Sequence, residues 1–403
     1  MTTQLGFCVS RGKVTDVPLE IKTQDLTRHM AIFGASGSGK TGLLLSLVEE
    51  NLLNKIPTIL IDIKGDMSNI ALQEDQEVLD SMNFRLLTPG SNHGEQINIF
   101  AGLSKPDRLA NSVSSLLKMV GEKNYDPIQS KMHAYLSKIL QYMHLHKKGS
   151  ALDDIIDLVM DPPFVSFGAL DLDSAIPRRT RAALAAKLNT IFVAPSFQQW
   201  REGVAIDIED LLKPGGEKTN VTVFSVAHLV DETERMFAVA LLMDEVLSWM
   251  RSQQGSSELR AQVIIDECVG IIPPYPANPP TKKPLMTLLK QARAFGLGLV
   301  LASQNTKDMD YKALGNCETW VIGKLSMKRD RESILEGIIS NTSLPKEVLE
   351  GKIASLASRH FLVVRPKMVI DMYSCDAGCE LTGPMTEWDM RQIFKQPKKV
   401  SCA

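Results

Sequence analysis

The run GASGSGKTG, residues 34–42, sets Gly34 and Gly39 around four residues and follows them at once with Lys40 and Thr41. Glycines let backbone N–H groups wrap an anion, a helix starting there adds its positive end, and the lysine ammonium reaches the outer phosphates of a nucleotide. Gly34, Ala35, Ser36, Gly37, Ser38, Gly39, Lys40, Thr41 and Gly42 are therefore the candidate phosphate cradle, with the Thr41 hydroxyl placed for Mg2+. A glycine-rich turn with a chance lysine is the alternative. The flanks argue against it, because the apolar run HMAIFG precedes the loop and TGLLLSLVEENLL follows it.

A second set of residues could complete such a site. In VIIDE, residues 263–267, three apolar and β-branched positions lead to Asp266, a carboxylate at the end of a buried strand, where parallel sheets bind ligands. Asp266 is the candidate Mg2+ ligand. Glu267 beside it is the candidate that orients and polarises an attacking water, which favours hydrolysis over a kinase or a GTP switch; its plainer reading is a solvated strand-end charge. LASQ, residues 301–304, is again an apolar run with a polar end, and Gln304 is a candidate γ-phosphate sensor.

These residues need a scaffold. HMAIFG (29–34), IPTILIDIKGD (56–66), VTVFSVAHL (221–229), AQVIIDEC (261–268), LGLVLASQ (297–304), TWVIGKL (319–325) and RHFLVV (359–364) read as strands, most of them separated by helical stretches. That alternation predicts an α/β fold with a mostly parallel sheet covered on both faces. Between them, residues 71–217 have helical texture, as where Met132, Tyr135, Leu136, Ile139, Leu140 and Met143 recur on one face. The expected division is 1–70 and 218–390 as two parts of one core, 71–217 as a helical insertion projecting from it, and 391–403 as a tail.

Composition narrows the classes. The chain has 403 residues, 44% hydrophobic and 23% charged, with net charge −2. That is ordinary for a globular protein and unlike a strongly basic nucleic-acid coat. The six cysteines form no zinc-type ladder, and the expectation is reduced thiols in a soluble, cytoplasmic protein with no membrane span.

GASGSGKTG, LIDIKGD (60–66), FSVAHLVDETERMF, LRAQVIIDE, ANPPTKKPLMTLLKQARAFGLG, KQARAFGLGLVLASQN (290–305) and ELTGPMT together resemble the HerA-like branch of the HerA/FtsK P-loop ATPases, in particular bacterial HerA-like ATPases with a helical insertion. The resemblance implies a RecA-like core using ATP and Mg2+. Arg293, eleven residues before Gln304, matches an arginine that in relatives reaches a neighbouring subunit's nucleotide, and is expected at the sheet's C-terminal rim facing outward. Arg28 matches a second arginine beside the phosphates, and Asp62 an acidic residue at the second strand tip. The plain readings of the arginines are solvated charges. HerA itself carries an N-terminal β-barrel before its first strand, and closer relatives a long C-terminal extension. Neither is found here, so partner docking is expected to differ.

The resulting expectation is a ring-forming ATPase, taken as a homohexamer, that hydrolyses ATP to translocate on or remodel DNA, with a partner nuclease or effector. The alternative is a non-motor ATPase scaffold or regulatory subunit of an effector complex, for example in anti-phage defence. A protein-remodelling ATPase would need an aromatic pore loop, which is not identifiable, and a nucleotide kinase is disfavoured by Glu267. Arg178, Arg179 and Arg181 could touch phosphates but read better as a solvated helix face, and any DNA binding is expected to be nonspecific and salt-sensitive.

Overall fold

The computed structural model describes residues 1–391 apart from 102, 123, 147–151, 202, 343, 382 and 387. The expected tail, 391–403, lies outside the described residues beyond its first position. The strands in chain order are β1 (Thr2–Ser10), β2 (Lys13–Lys22), β3 (Met30–Phe33), β4 (Thr58–Asp62), β5 (Met82–Leu87), β6 (Ser166–Phe167), β7 (Leu170–Asp171), β8 (Thr219–Ser225), β9 (Ser256–Ile265), β10 (Phe295–Ser303), β11 (Thr319–Ile322), β12 (His360–Arg365) and β13 (Met368–Ser374). Eleven form one sheet in the order β2-β1-β13-β12-β11-β3-β10-β9-β4-β8-β5. From β11 to β5 all neighbours are parallel, and from β11 through β12, β13 and β1 to β2 they are antiparallel.

The parallel strands are the apolar runs of the sequence. β3, β4, β8 and β11 are buried at every position, as strands covered on both faces must be. Four sheet strands had not been expected. β1 and β2 form a hairpin whose two-residue loop puts Arg11 and Gly12 at φ 51° and 74°. That turn type is a hairpin signal, but β2 is polar and carries Pro18, which an edge strand tolerates. β13 returns from β12 through Lys367, also left-handed at φ 63°.

β5 corrects the expected insertion. Residues 82–87 lie in the sheet paired with β8, so the segment 71–217 is not helical throughout. Its MNFRLL pattern is only partly buried, because β5 is the edge strand, and an edge strand lacks the continuous apolar run of a central one. The chain divides into one compact unit of residues 1–87, 207–228 and 249–403, which holds the whole sheet, and a second of residues 88–206 and 229–248.

In the second unit the helix Lys131–Leu145 buries Tyr135, Leu136, Ile139, Leu140 and Met143 as the periodicity predicts. It also buries His133, whereas Met132 is only half-buried. Trp200 is fully buried there, edge-on to Phe237, with its indole N–H donating to Glu234 at 2.7 Å. Of the three clustered arginines, Arg181 is buried and pairs with Asp173 at 2.5 Å, and Arg178 pairs with Asp161 at 3.3 Å.

Helix α1 (Lys40–Leu53) starts at the glycine loop and packs Leu43, Leu44, Leu45, Leu47, Val48 and Leu52 into the core of the sheet unit. Each such side chain contributes about 1.5–3 kcal/mol when fully buried. Asn51 on the same helix is buried, and its amide donates to Thr58 at 3.1 Å and to Gln262 at 2.6 Å. The loop is thereby tied to β4 and β9, whose tips carry the candidate carboxylates. Among the described residues no helix is long and apolar enough to cross a membrane.

Candidate nucleotide site

Parallel strands align their C-terminal ends, so the turns after β3, β4, β9 and β10 meet at one edge of the sheet. A cleft of about 440 Å³ lies there, lined by Ala35, Ser36, Gly37, Gly39, Lys40, Thr41, Gly42, Leu44, Lys64, Asp66, Asn69, Asp266, Gln304, Ser358, Arg359, Leu381 and Gly383. Gly37 and Gly39 adopt φ 74° and 95°, which side-chain-bearing residues rarely do. A Cβ on Gly34 would meet Ser38 Oγ at 2.4 Å, and one on Gly39 would meet Arg359 at 3.1 Å. The loop is braced from behind: Ser358 Oγ donates to the Gly37 carbonyl at 2.8 Å, and the Arg359 and Ala35 N–H groups donate to the Ser38 and Lys324 carbonyls. Lys40 Nζ reaches the Gly34 and Ala35 carbonyls. Burial is the main cause that lowers its ammonium to about 8, while Glu267 acts in the opposite direction.

Three carboxylates stand at the neighbouring tips of β4 and β9. Asp266 accepts from the Ile63 N–H at 3.1 Å and lines the cleft. Burial, and next the charge of Asp62, hold its carboxyl well above the usual range. A cation beside it would reverse that shift. Glu267 is 3% exposed, not solvated. Its Oε1 lies 3.0 Å from Ser303 Oγ, and its Oε2 accepts from Lys64 at 2.6 Å and from Gln304 Nε2 at 3.3 Å. Asp62 does not line the cleft. It is fully buried and accepts from the Gly65 N–H at 2.7 Å and from Ser68 N–H and Oγ at 3.1 and 2.8 Å, so it shapes the turn after β4 rather than facing a ligand.

The arginines lie elsewhere. Arg28 immediately precedes His29 and β3, and Arg293 precedes β10, so both sit at the N-terminal edge of the sheet. They line a separate cleft of about 410 Å³ with His29, Leu289, Lys290, Gly315, Asn316, Cys317, Glu318 and Pro366. β10 separates Arg293 from Gln304, and a strand of its length, at about 3.3 Å per residue, exceeds the reach of an arginine side chain. The expectation that Arg293 sits at the C-terminal rim is therefore corrected, and Arg28, matched to an arginine beside the phosphates, does not line the cleft of the glycine loop in the same chain. A strand reverses nothing: residues before it lie at the edge opposite those after it. Arg28 pairs with Glu318 at 2.7 Å, while Arg293 is exposed. Between them, His29 is buried, held by the Leu289 carbonyl at 3.0 Å and the Leu299 N–H at 3.1 Å, and burial lowers its imidazole to about 4.

Several lining residues carry no sequence signal of their own. Lys64 sits in LIDIKGD, where attention falls on the aspartate. Ser358 and Arg359 lie in an ordinary-looking turn before β12. Leu381 and Gly383 belong to a segment fixed by the Gly378 N–H on buried Glu49 (2.7 Å), by Asn69 on the Gly383 carbonyl (3.0 Å) and by the Met385 N–H on Gly65 (3.2 Å). Only the backbone path brings it over the cleft.

Residues present suit a nucleotide with a divalent ion: a glycine cradle whose space a Cβ would fill, a cationic lysine, a hydroxyl at Thr41, and Asp266 short of positive charge. Among the described residues no group of three or more His, Cys, Asp or Glu could hold a metal by itself. An ion would take Thr41 and Asp266 together with phosphate oxygens.

Comparison with known proteins places the chain among relatives. The chain is 23% identical over 350 residues to the DNA double-strand break repair helicase HerA of Sulfurisphaera tokodaii, covering 84% of this chain and 62% of that protein. It is 21% identical over 342 residues to a probable helicase of Methanocaldococcus jannaschii, covering 82% and 59%. It thus spans about three fifths of the length of these curated relatives. Among solved structures, the plasmid coupling protein TrwB in complex with ADP and Mg2+ matches with TM-score 0.60 at 14% identity, over 95% of this chain and 96% of that one. VirB4 of Thermoanaerobacter pseudethanolicus matches with TM-score 0.60 at 12% identity, over 93% and 97%. At such identities these structures share the fold. The family model described as "Helicase HerA, central domain" matches residues 3–246, more than half of the chain, and the protein belongs to that family of α/β P-loop proteins.

Proposed function

We propose that this chain is a Mg2+-dependent ATPase that works as a ring, a homohexamer, and uses ATP hydrolysis to move on or remodel DNA. The observation that carries the reading is the convergence of the glycine cradle, Lys40, Thr41, Asp266, Glu267 and Gln304 on one edge of one sheet. Backbone N–H groups of residues 34–42 and the start of α1 hold the phosphates, and Lys40 neutralises their outer oxygens. Mg2+ held by Thr41 and Asp266 would supply charge neutralisation of those oxygens. Glu267 orients the attacking water and accepts its proton, and Gln304, bonded to Glu267, reports the γ-phosphate to the β10 tip. The name of the Sulfurisphaera relative, a DNA double-strand break repair helicase, supports DNA as the substrate. The sheet unit carries this chemistry, and the helical unit serves ring contact or docking.

The placement of Arg28 and Arg293 supports the ring. Both are too far along the sheet to serve their own cleft, yet they share a cleft of their own. A neighbouring subunit's phosphates, presented to that edge, would meet the Arg28 guanidinium, held by Glu318, and the exposed Arg293.

Three outcomes are expected. Glu267→Gln retains ATP binding and loses about 10²–10⁴-fold in turnover, whereas Lys40→Ala loses binding as well, measured by nucleotide titration and phosphate release; full turnover in the Gln variant contradicts the role of Glu267. ATP affinity falls as pH rises through about 8. Phosphates raise the Lys40 value, so binding takes up a proton between the two values, and the loss approaches about tenfold per pH unit; a flat profile from pH 7 to 9 contradicts it. Arg293→Ala loses about 10³–10⁵ in rate, and mixing it with Lys40→Ala restores activity, because an intact cradle can then sit beside an intact donor. No recovery in mixed rings verified by mass contradicts action in trans.

A further inference from the structure

Every contact of the Glu267 carboxylate found among the described residues comes from a donor. Ser303 Oγ lies 3.0 Å from both Glu267 Oε1 and Asp308 Oδ2 and has one proton for the two, while Lys64 and Gln304 serve Oε2, with the ammonium nearest at 2.6 Å. A carboxylate oxygen in a charge-assisted pair this short is occupied by the ammonium, which stands where a water would have to approach. For Glu267 to act as a base, a donor must leave. Ser303 is fully buried within β10, and Gln304 directly follows it at the strand end. Gln304 is exposed too, but it is uncharged and stands farther off, at 3.3 Å; Lys64, with its side chain 39% exposed against 4% for Glu267, is the charged donor that phosphates would attract. It extends on a flexible four-carbon stem from a turn whose backbone is pinned by Asp62. Lys64 also lines the cleft beside Lys40, Thr41 and Asp266. A polyphosphate bound in the cleft would therefore be a second anionic partner within reach of the side chain, besides the carboxylate it holds.

We propose that Lys64 is a positioning residue that links the two: it restrains Glu267 by direct pairing, and the outer phosphates of a bound nucleoside triphosphate draw it off, which frees Glu267 as a base only when those phosphates are present. The inference rests on the nucleotide-hydrolysis reading of the same site and adds a restraint on when hydrolysis starts. The turn backbone need not move, because the exchange uses side-chain torsions alone. No bond is made or broken; one ammonium changes its anionic partner.

A double-mutant cycle tests it. Wild type, Lys64→Met, Glu267→Gln and the double variant are titrated with fluorescent ATP and fluorescent AMP, and each is melted without nucleotide. Glu267→Gln removes a negative charge in either background, but only with Lys64 present does it also free an ammonium for the phosphates. It should therefore tighten ATP about tenfold more in the wild-type background than in the Lys64→Met background, and AMP, lacking β- and γ-phosphates, should show no such excess. The melts should be non-additive, since each single change breaks the same pair. Should Lys64→Met fold poorly, Lys64→Gln supplies a second uncharged background that keeps a donor for Glu267. Equal tightening of ATP in both backgrounds, an equal excess with AMP, or additive melts overturns the proposal. If wild type hydrolyses ATP and the cycle is additive, only the Lys64 proposal fails; if wild type binds ATP with the expected coupling but never hydrolyses it, the ATPase reading fails and the restraint stands.

Discussion

Asp62, Asp266 and Glu267 crowd three buried carboxylates into the tips of two adjacent strands, and the surrounding structure is organised around the cost of doing so. Burial alone raises Asp62 and Asp266, and the proximity of the first raises the second further. Each acid meets that cost differently. Among the described residues, Asp62 is satisfied by the turn it caps, Glu267 by an ammonium, an amide and a hydroxyl shared with Asp308, and Asp266 by one backbone N–H. The least satisfied acid is the one that faces the cleft. Unpaired buried charge is costly, and a site that keeps some is poised to take a cation.

Parallel pairing turns this local chemistry into a site. Because β3, β10, β9 and β4 run the same way in adjacent register, the glycine loop, Gln304, Asp266 and the Lys64 turn fall along one edge. The same geometry sends the residues before β3 and β10 to the other edge, and Arg28 and Arg293 share a cleft there. One chain thus carries one edge with the acids and the glycine loop and a separate edge with the two guanidinium groups. Helix α1 links the loop to the core through its leucines and through Asn51, which would leave buried amide groups unsatisfied, at about 1–3 kcal/mol each, if its partners were removed.

How legible all this is in the sequence depends on burial. The central strands announce themselves because both faces are covered, so ILID and VIIDE read as unbroken apolar runs ending in acids. The edges are quiet: β2 is mostly exposed and interrupted by Pro18, and β5 is only half-buried. In the site, Lys40, Thr41, Asp266 and Gln304 were readable from their place at the ends of strands or the start of a helix. Lys64 was not, because a lysine after a strand is by default a solvated charge, and its significance comes from Glu267, two hundred residues away in sequence but 2.6 Å away in space. Asp62 was legible as a strand-tip acid but not as a turn cap, a distinction that lies in which way the side chain turns. The arginines were recognisable as residue types, and their edge followed from strand direction rather than from spacing.

Nucleotide is proposed to bind in the cleft at the C-terminal edge, held by the glycine loop and facing Asp266. An electron cryomicroscopy structure of the Glu267→Gln chain with ATP and Mg2+ tests it most directly. The account predicts phosphates wrapped by residues 34–42 with Lys40 turned onto them, and an ion between the phosphates, Thr41 and Asp266. Nucleotide density outside this cleft, or an ion with neither Thr41 nor Asp266 among its neighbours, would contradict it.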